Sequence, residues 1–155
     1  MDTQVRAPEW QVCQWFNSAP LSLAALRGRV VVLHAFQMLC PGCVSHAVPQ
    51  AERLHRRFAS AELVVVGLHT VFEHHLAMAP SALEVFLKEY RITHPVAVDQ
   101  PLAGTAIPAT MRAYAMEGTP TLVLIDRTGH IRLQATGGVD DLQLGVLVGE
   151  LLALK

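Results

Sequence analysis

The chain has 155 residues, 52% of them hydrophobic and 16% charged, which is one domain's length with enough apolar material for a buried core and excludes disorder. Basic and acidic residues number 12 and 13, for a net charge of -1, a balance that points away from a nucleic-acid partner and from an anionic membrane surface. The apolar stretches Val30–Leu33 and Leu63–Leu68 are far too short to span a bilayer.

The first residues, Met1–Pro8, show no basic segment followed by an apolar one, so a cytoplasmic location is expected, or a periplasmic one if a leader has been trimmed away. Residues 1–28 are expected to be an N-terminal extension packed on the rest, an irregular hairpin or extended arm anchored by Trp10, Trp15, Phe16, Leu21 and Leu23. Cys13 lies in that arm outside any motif and reads as a small apolar filler.

Arg29–Phe36 is a β-branched run following Gly28 and predicts a buried strand. Four residues on, Cys40 opens a helical pattern with Val44, Val48, Ala51 and Leu54 on one face. Pro41 suits the first turn of that helix, where its missing N–H would have no partner. Glu62–Leu68 predicts a second strand, the segment after Pro80-Ser81 a helix, Pro95–Asp99 a short strand and Pro108–Met116 a short helix. Thr121–Asp126 and His130–Ala135 flank the turn Arg127-Thr128-Gly129 as a hairpin, and Asp140–Leu154 predicts a final amphipathic helix. No repeat or linker divides the chain, and 1–155 is expected to be a single domain. The order β-α-β-α-β-α-β-β-α predicts an α/β fold, a mixed sheet with helices on both faces.

The chemistry centres on Cys40-Pro41-Gly42-Cys43, placed where a buried strand hands over to a helix. Unsatisfied N–H groups and the macrodipole at a helix N-terminus favour an anion. Cys40 is therefore expected to have a lowered pKa and to be the attacking thiolate. Cys43, one turn along, is close enough to resolve a mixed disulfide. A rival reading is a half zinc site, extended by His46 in a Cys40-x2-Cys43-x2-His46 spacing; the Pro-Gly pair at a helix start favours redox chemistry over metal.

These residues resemble the thioredoxin superfamily, most closely its TlpA-like and peroxiredoxin-like (redoxin) branch. Leu21-Ser22-Leu23 through Leu26-Arg27-Gly28-Arg29-Val30-Val31-Val32-Leu33 carries the resemblance, followed by Phe36 and Cys40–Cys43 and then by Gly118-Thr119-Pro120-Thr121-Leu122-Val123-Leu124-Ile125-Asp126-Arg127-Thr128-Gly129. It covers nearly the whole chain, from about residue 8 onward. The resemblance implies a thioredoxin-like fold in which Pro120 is cis and packs against the CxxC, while Thr119 offers backbone hydrogen bonds to an extended substrate.

Three departures from the family pattern stand out. Leu39 replaces the tryptophan usually found before the first cysteine, and with Met38 it is expected to form an apolar lip over the site. His34 stands where the superfamily holds a buried acid or amide, and is a candidate proton acceptor for Cys43. Leu33 and Gln37 occupy positions where a peroxiredoxin would have its Pro and its Thr or Ser, so the peroxide-activating pocket is missing and peroxidase activity ranks second. Gln37 and His46 are expected to be polar residues on the rim.

His69-Thr70-Val71-Phe72-Glu73-His74-His75 places three histidines and a glutamate after the second strand, at a sheet edge that suits a site. A divalent-metal site is one reading; a polar loop is preferred. The expected activity is thiol–disulfide exchange, with Cys40, Cys43 and His34 catalytic and Thr119, Pro120, Leu39 and Gln37 contacting substrate. An antioxidant role goes with that reading. No metal or dissociable cofactor is needed, because the electrons reside in the dithiol. The partners expected are a protein or peptide disulfide and a thiol reductant.

Overall fold

A computed structural model describes residues 4–155; Met1–Thr3, the start of the stretch read for an export signal, lie outside it. Six strands and four helices follow in chain order: β1 (Val12–Phe16), β2 (Val30–Phe36), α1 (Val48–Phe58), β3 (Leu63–His69), α2 (Pro80–Glu89), β4 (Val96–Asp99), α3 (Ala109–Ala113), β5 (Thr121–Ile125), β6 (Ile131–Thr136) and α4 (Asp141–Ala153). Every predicted element is found, with ends displaced by a few residues.

The strands form one sheet in the order β1-β4-β3-β2-β5-β6. β2, β3 and β4 run parallel to one another, β5 pairs antiparallel with β2, and β6 pairs antiparallel with β5. The valine-rich β2 and β3 are buried along their whole length because helices cover the central strands. Val30, Val32, Leu63 and Val65 point to α1 and α4, packing on Leu54, Leu144, Val148 and Leu151. Val31, Leu33, Val64 and Val66 point the other way, onto Trp10, Leu23, Leu26, Met111 and Tyr114.

Of the two forms expected for the N-terminal extension, a hairpin or an extended arm, the structure has the extended one. The extension's Val12–Phe16 segment is an edge strand paired antiparallel with β4, from Val12 opposite Asp99 to Phe16 opposite Val96. Its short, poorly alternating sequence carries no strand signature of its own, and its hydrogen-bond partner lies far along the chain. Cys13, on this strand, is an exposed free thiol and not a core filler. Its neighbours on the edge leave its side chain open to water, although partial burial pushes the thiol pKa up.

The helix that carries the cysteines is continuous from Pro41 through α1 but contains a wider π turn at Cys43–Ala47. Pro49 follows at once. Proline has no N–H to give the ladder and crowds the preceding turn, and a π turn just before it relieves both demands.

Candidate active site

At the end of β2 the chain makes a tight turn, with the Cys40 N–H donating to the Gln37 carbonyl at 3.2 Å. The N–H groups of Cys43 and Val44 both donate to the Cys40 carbonyl, at 3.1 Å each, so Cys40 sits at the mouth of the helix. Cys40 and Cys43 are joined as a disulfide, their Cα atoms 5.2 Å apart. The Cys43 N–H also points at Cys40 Sγ, at 3.3 Å, where it would stabilise a thiolate after reduction. Cys40 is half-buried and Cys43 fully buried. One sulfur is open to attack from outside; its neighbour is shielded.

The segment before β5 closes the other side. The Thr119–Pro120 peptide is cis. The Thr119 carbonyl oxygen lies 3.5 Å from Cys40 Sγ. A Cβ on Gly42 would stand 3.6 Å from the Pro120 ring, so the CxxC backbone and Pro120 face one another.

Gln37 ties the site together from beneath. It is 1% exposed, a correction to its expected place on the rim. Its side-chain oxygen accepts from the Phe72 N–H at 3.2 Å, and its amide donates to Glu73 at 3.4 Å and to Thr119 Oγ1 at 3.5 Å. A single amide has a donor and an acceptor for both loops. Leu39 is 58% exposed beside Cys40, whereas Met38 is buried, so the apolar lip is Leu39 alone. Met38 turns inward into the apolar cluster with Phe36, Cys43 and Met78, and its N–H donates to His69 Nε2 at 3.3 Å.

The histidines separate. His69 is buried, and burial pushes its pKa down to about 4. His74 lies in the left-handed region at φ 49°, and His75 Nε2 is 3.1 Å from the Ala106 carbonyl. His46 Nε2 lies 3.0 Å from the Val139 carbonyl and ties the helix start to the segment before α4. Among the described residues, no three His, Cys, Asp or Glu side chains are grouped as metal ligands.

His34 is also buried, stacked on Phe36 with ring centroids 5.2 Å apart. Phe36 packs in the same cluster as Cys43. His34 Nε2 lies 2.8 Å from His94 Nε2, and neither cysteine sulfur is among its hydrogen-bond partners. Burial and the neighbouring His94 hold the His34 pKa well below the usual histidine value, with Glu52 opposing them. His94 and Glu52 were not legible as site residues, since neither sits in a motif. The signal that would have found them is the glycine at 67, which interrupts the apolar strand opposite His34.

The Redoxin family profile matches residues 7–143. The crystal structure of a thioredoxin-like superfamily protein is 53% identical, covering 97% of this chain and 98% of its own, with a TM-score of 0.94. A thiol-disulfide isomerase from Corynebacterium glutamicum is 50% identical over 100% of both chains, with a TM-score of 0.95. Protein SUPPRESSOR OF QUENCHING 1, chloroplastic, from Arabidopsis thaliana is 27% identical over 87% of this chain. The chain spans only 12% of that protein, and less than a fifth of each curated relative it matches.

Proposed function

The chain belongs to the Redoxin family, and on that footing we propose that it is a thiol–disulfide oxidoreductase working through Cys40 and Cys43. The observation that carries this reading is the asymmetry of the pair: a half-exposed Cys40 at a helix mouth, bonded to a fully buried Cys43. As a thiolate, Cys40 attacks one sulfur of a substrate disulfide and releases the other as a thiolate, forming a mixed disulfide. Cys43 then loses its proton and attacks Cys40 Sγ. The second substrate sulfur leaves, and both electrons have passed from the dithiol to the substrate.

The substrate class we propose is a protein or peptide disulfide, in keeping with the named activity of the Corynebacterium relative. An extended peptide has a backbone partner at Thr119, the ring of Pro120 to pack on and an apolar contact at Leu39. Gln37 acts from below, holding the Thr119 and Phe72 loops in place. We assign His34 the role of proton acceptor for Cys43, because it stacks on Phe36 and Phe36 packs in one cluster with Cys43. A thiol reductant would restore the dithiol after each cycle. We take residues 1–155 as one functional unit, since β1 is hydrogen-bonded into the same sheet as the strand that leads to the CxxC. Among the described residues no helix is long and apolar enough to cross a membrane. A cytoplasmic setting with an antioxidant role is consistent with exchange chemistry at a reversible dithiol.

The test is equilibration of the protein in glutathione or dithiothreitol buffers with mass-spectrometric trapping. A reversible two-electron couple confined to Cys40 and Cys43, and lost in Cys40→Ser and in Cys43→Ser, is the expected result. Exchange activity that survives in both variants refutes the assignment.

A further inference from the structure

A chain of three buried side chains runs inward from α1. Glu52 Oε1 lies 2.9 Å from His94 Nδ1, and His94 Nε2 lies 2.8 Å from His34 Nε2. Glu52 and the two histidines are all at least nine-tenths buried, the histidines fully so. The arrangement is built and not incidental. Glu52 also accepts from the backbone N–H groups of Thr93 and His94, from the Thr93 hydroxyl at 2.7 Å and from Arg56 at 2.8 Å. Gly67 opposite leaves the space that His34 and His94 occupy.

The proton positions follow from the partners. Burial alone would raise the Glu52 carboxyl, but hydrogen bonds from His94, Arg56 and Thr93 outweigh it and hold the group well below the usual carboxylate range. Glu52 is therefore an acceptor only, and His94 Nδ1 carries a proton. With the His94 proton on Nδ1, His94 Nε2 is free to accept, and His34 donates to it from Nε2. That leaves His34 Nδ1 as a bare lone pair, buried and without a partner among the described residues.

We propose that Glu52 and His94 are positioning residues for His34, and that the three form a buried proton relay for the Cys43 thiol. The proposal rests on His34 being the acceptor of that proton. Alone, His34 is a poor base, because a cation in an apolar site beside Phe36 is poorly solvated. The relay removes this difficulty. The Cys43 S–H bond breaks and its proton goes to His34 Nδ1, while the His34 Nε2 proton passes to His94 Nε2. His34 ends neutral, His94 becomes an imidazolium and its charge is met by the Glu52 carboxylate. The Cys43 thiolate forms the Cys40–Cys43 bond and expels the substrate thiolate, so the electron count of the exchange is unchanged. The other ionisable groups facing the relay are Arg56, bonded to Glu52, His55, whose ring centroid is 5.9 Å from that of His94, and His69, across Phe36.

The test combines ring-nitrogen NMR of the full-length protein with the pH profile of the resolving step, followed as decay of the mixed disulfide with a peptide substrate. The expected result is a His34 proton on Nε2 in the disulfide form. Glu52→Gln and His94→Gln should then slow resolution about tenfold at neutral pH and move its pH profile, without slowing the first attack by Cys40. The tautomer measurement uses the unmutated chain, so it decides even where a variant fails to fold. A His34 proton on Nδ1 overturns the relay. A profile moved by His34→Leu but by neither Glu52→Gln nor His94→Gln overturns the relay and leaves His34 as the acceptor. A profile unmoved by His34→Leu overturns both, while the dithiol assignment continues to stand on the cysteine variants.

Discussion

Gly67 faces His34 so closely that a Cβ at position 67 would stand 2.9 Å from His34 Nε2, and 3.2 Å from Val96 Cγ2 on the neighbouring strand. Neither neighbour has room to retreat: His34 is held by His94 and Phe36, and Val96 is fully buried. Gly67→Ala is expected to destabilise the protein by about 1–3 kcal/mol, through overpacking. A lowered urea midpoint at unchanged slope is the signature; an unchanged or raised midpoint would mean that the imidazole pair is loosely held.

Shielding of Cys43 gives a kinetic prediction. With Cys43→Ser the first attack proceeds but cannot be resolved, so a mixed disulfide between Cys40 and a peptide thiol should accumulate as a trapped species. Mass spectrometry after mixing with an oxidised peptide measures it directly. With Cys40→Ser no adduct should form, because the remaining sulfur is buried. An adduct on Cys43 in that variant would reverse the assigned roles.

Stability should fall in acid. For His69 the folded pKa is pushed down to about 4, against about 6.5 in an unfolded chain. Above pH 6.5 both states are neutral there and nothing is lost. Between pH 6.5 and 4 the unfolded chain binds a proton that the native site refuses, and stability drops by about 3 kcal/mol from this residue. His34 acts in the same direction. Glu52, lowered in the folded state, gives stability that is present above the unfolded glutamate value of about 4.3 and is lost as pH falls further. Denaturation midpoints measured across pH 4–8 should decline below about 6.5, and less steeply in His69→Gln.

Gln37 makes a separate structural prediction. Gln37→Leu keeps the volume but leaves the Phe72 N–H without its acceptor. The expected cost is about 1–3 kcal/mol. Hydrogen exchange at the Phe72 amide should speed up more than exchange in β2 or β3. Uniform acceleration would show that the amide serves the core and not the loop.

Much of this site could be read locally. Cys40-Pro41-Gly42-Cys43 needs only its own spacing and a strand before it, and Gly118–Gly129 carries its own turn chemistry. Gln37, Met38 and Cys13 could not be read that way. A glutamine two residues before an exposed leucine looks like surface until the 70–73 loop closes over it. A cysteine between valine and glutamine looks like core until β1 takes the outer edge of the sheet.

The sequence by itself determined the order of strands and helices from β2 onward, a mixed sheet with helices on both faces and the place of the dithiol, because periodicity, glycine and proline act over a few residues. The tertiary structure alone decided the pairing of β1 with β4, the inward turn of Met38 and the line from Glu52 through His94 to His34. Those partners stand 42 and 60 residues apart along the chain. Each has an ordinary local environment, and only the packing of α1 and the 90–95 loop against β2 and β3 excludes water and makes them one hydrogen-bonded unit.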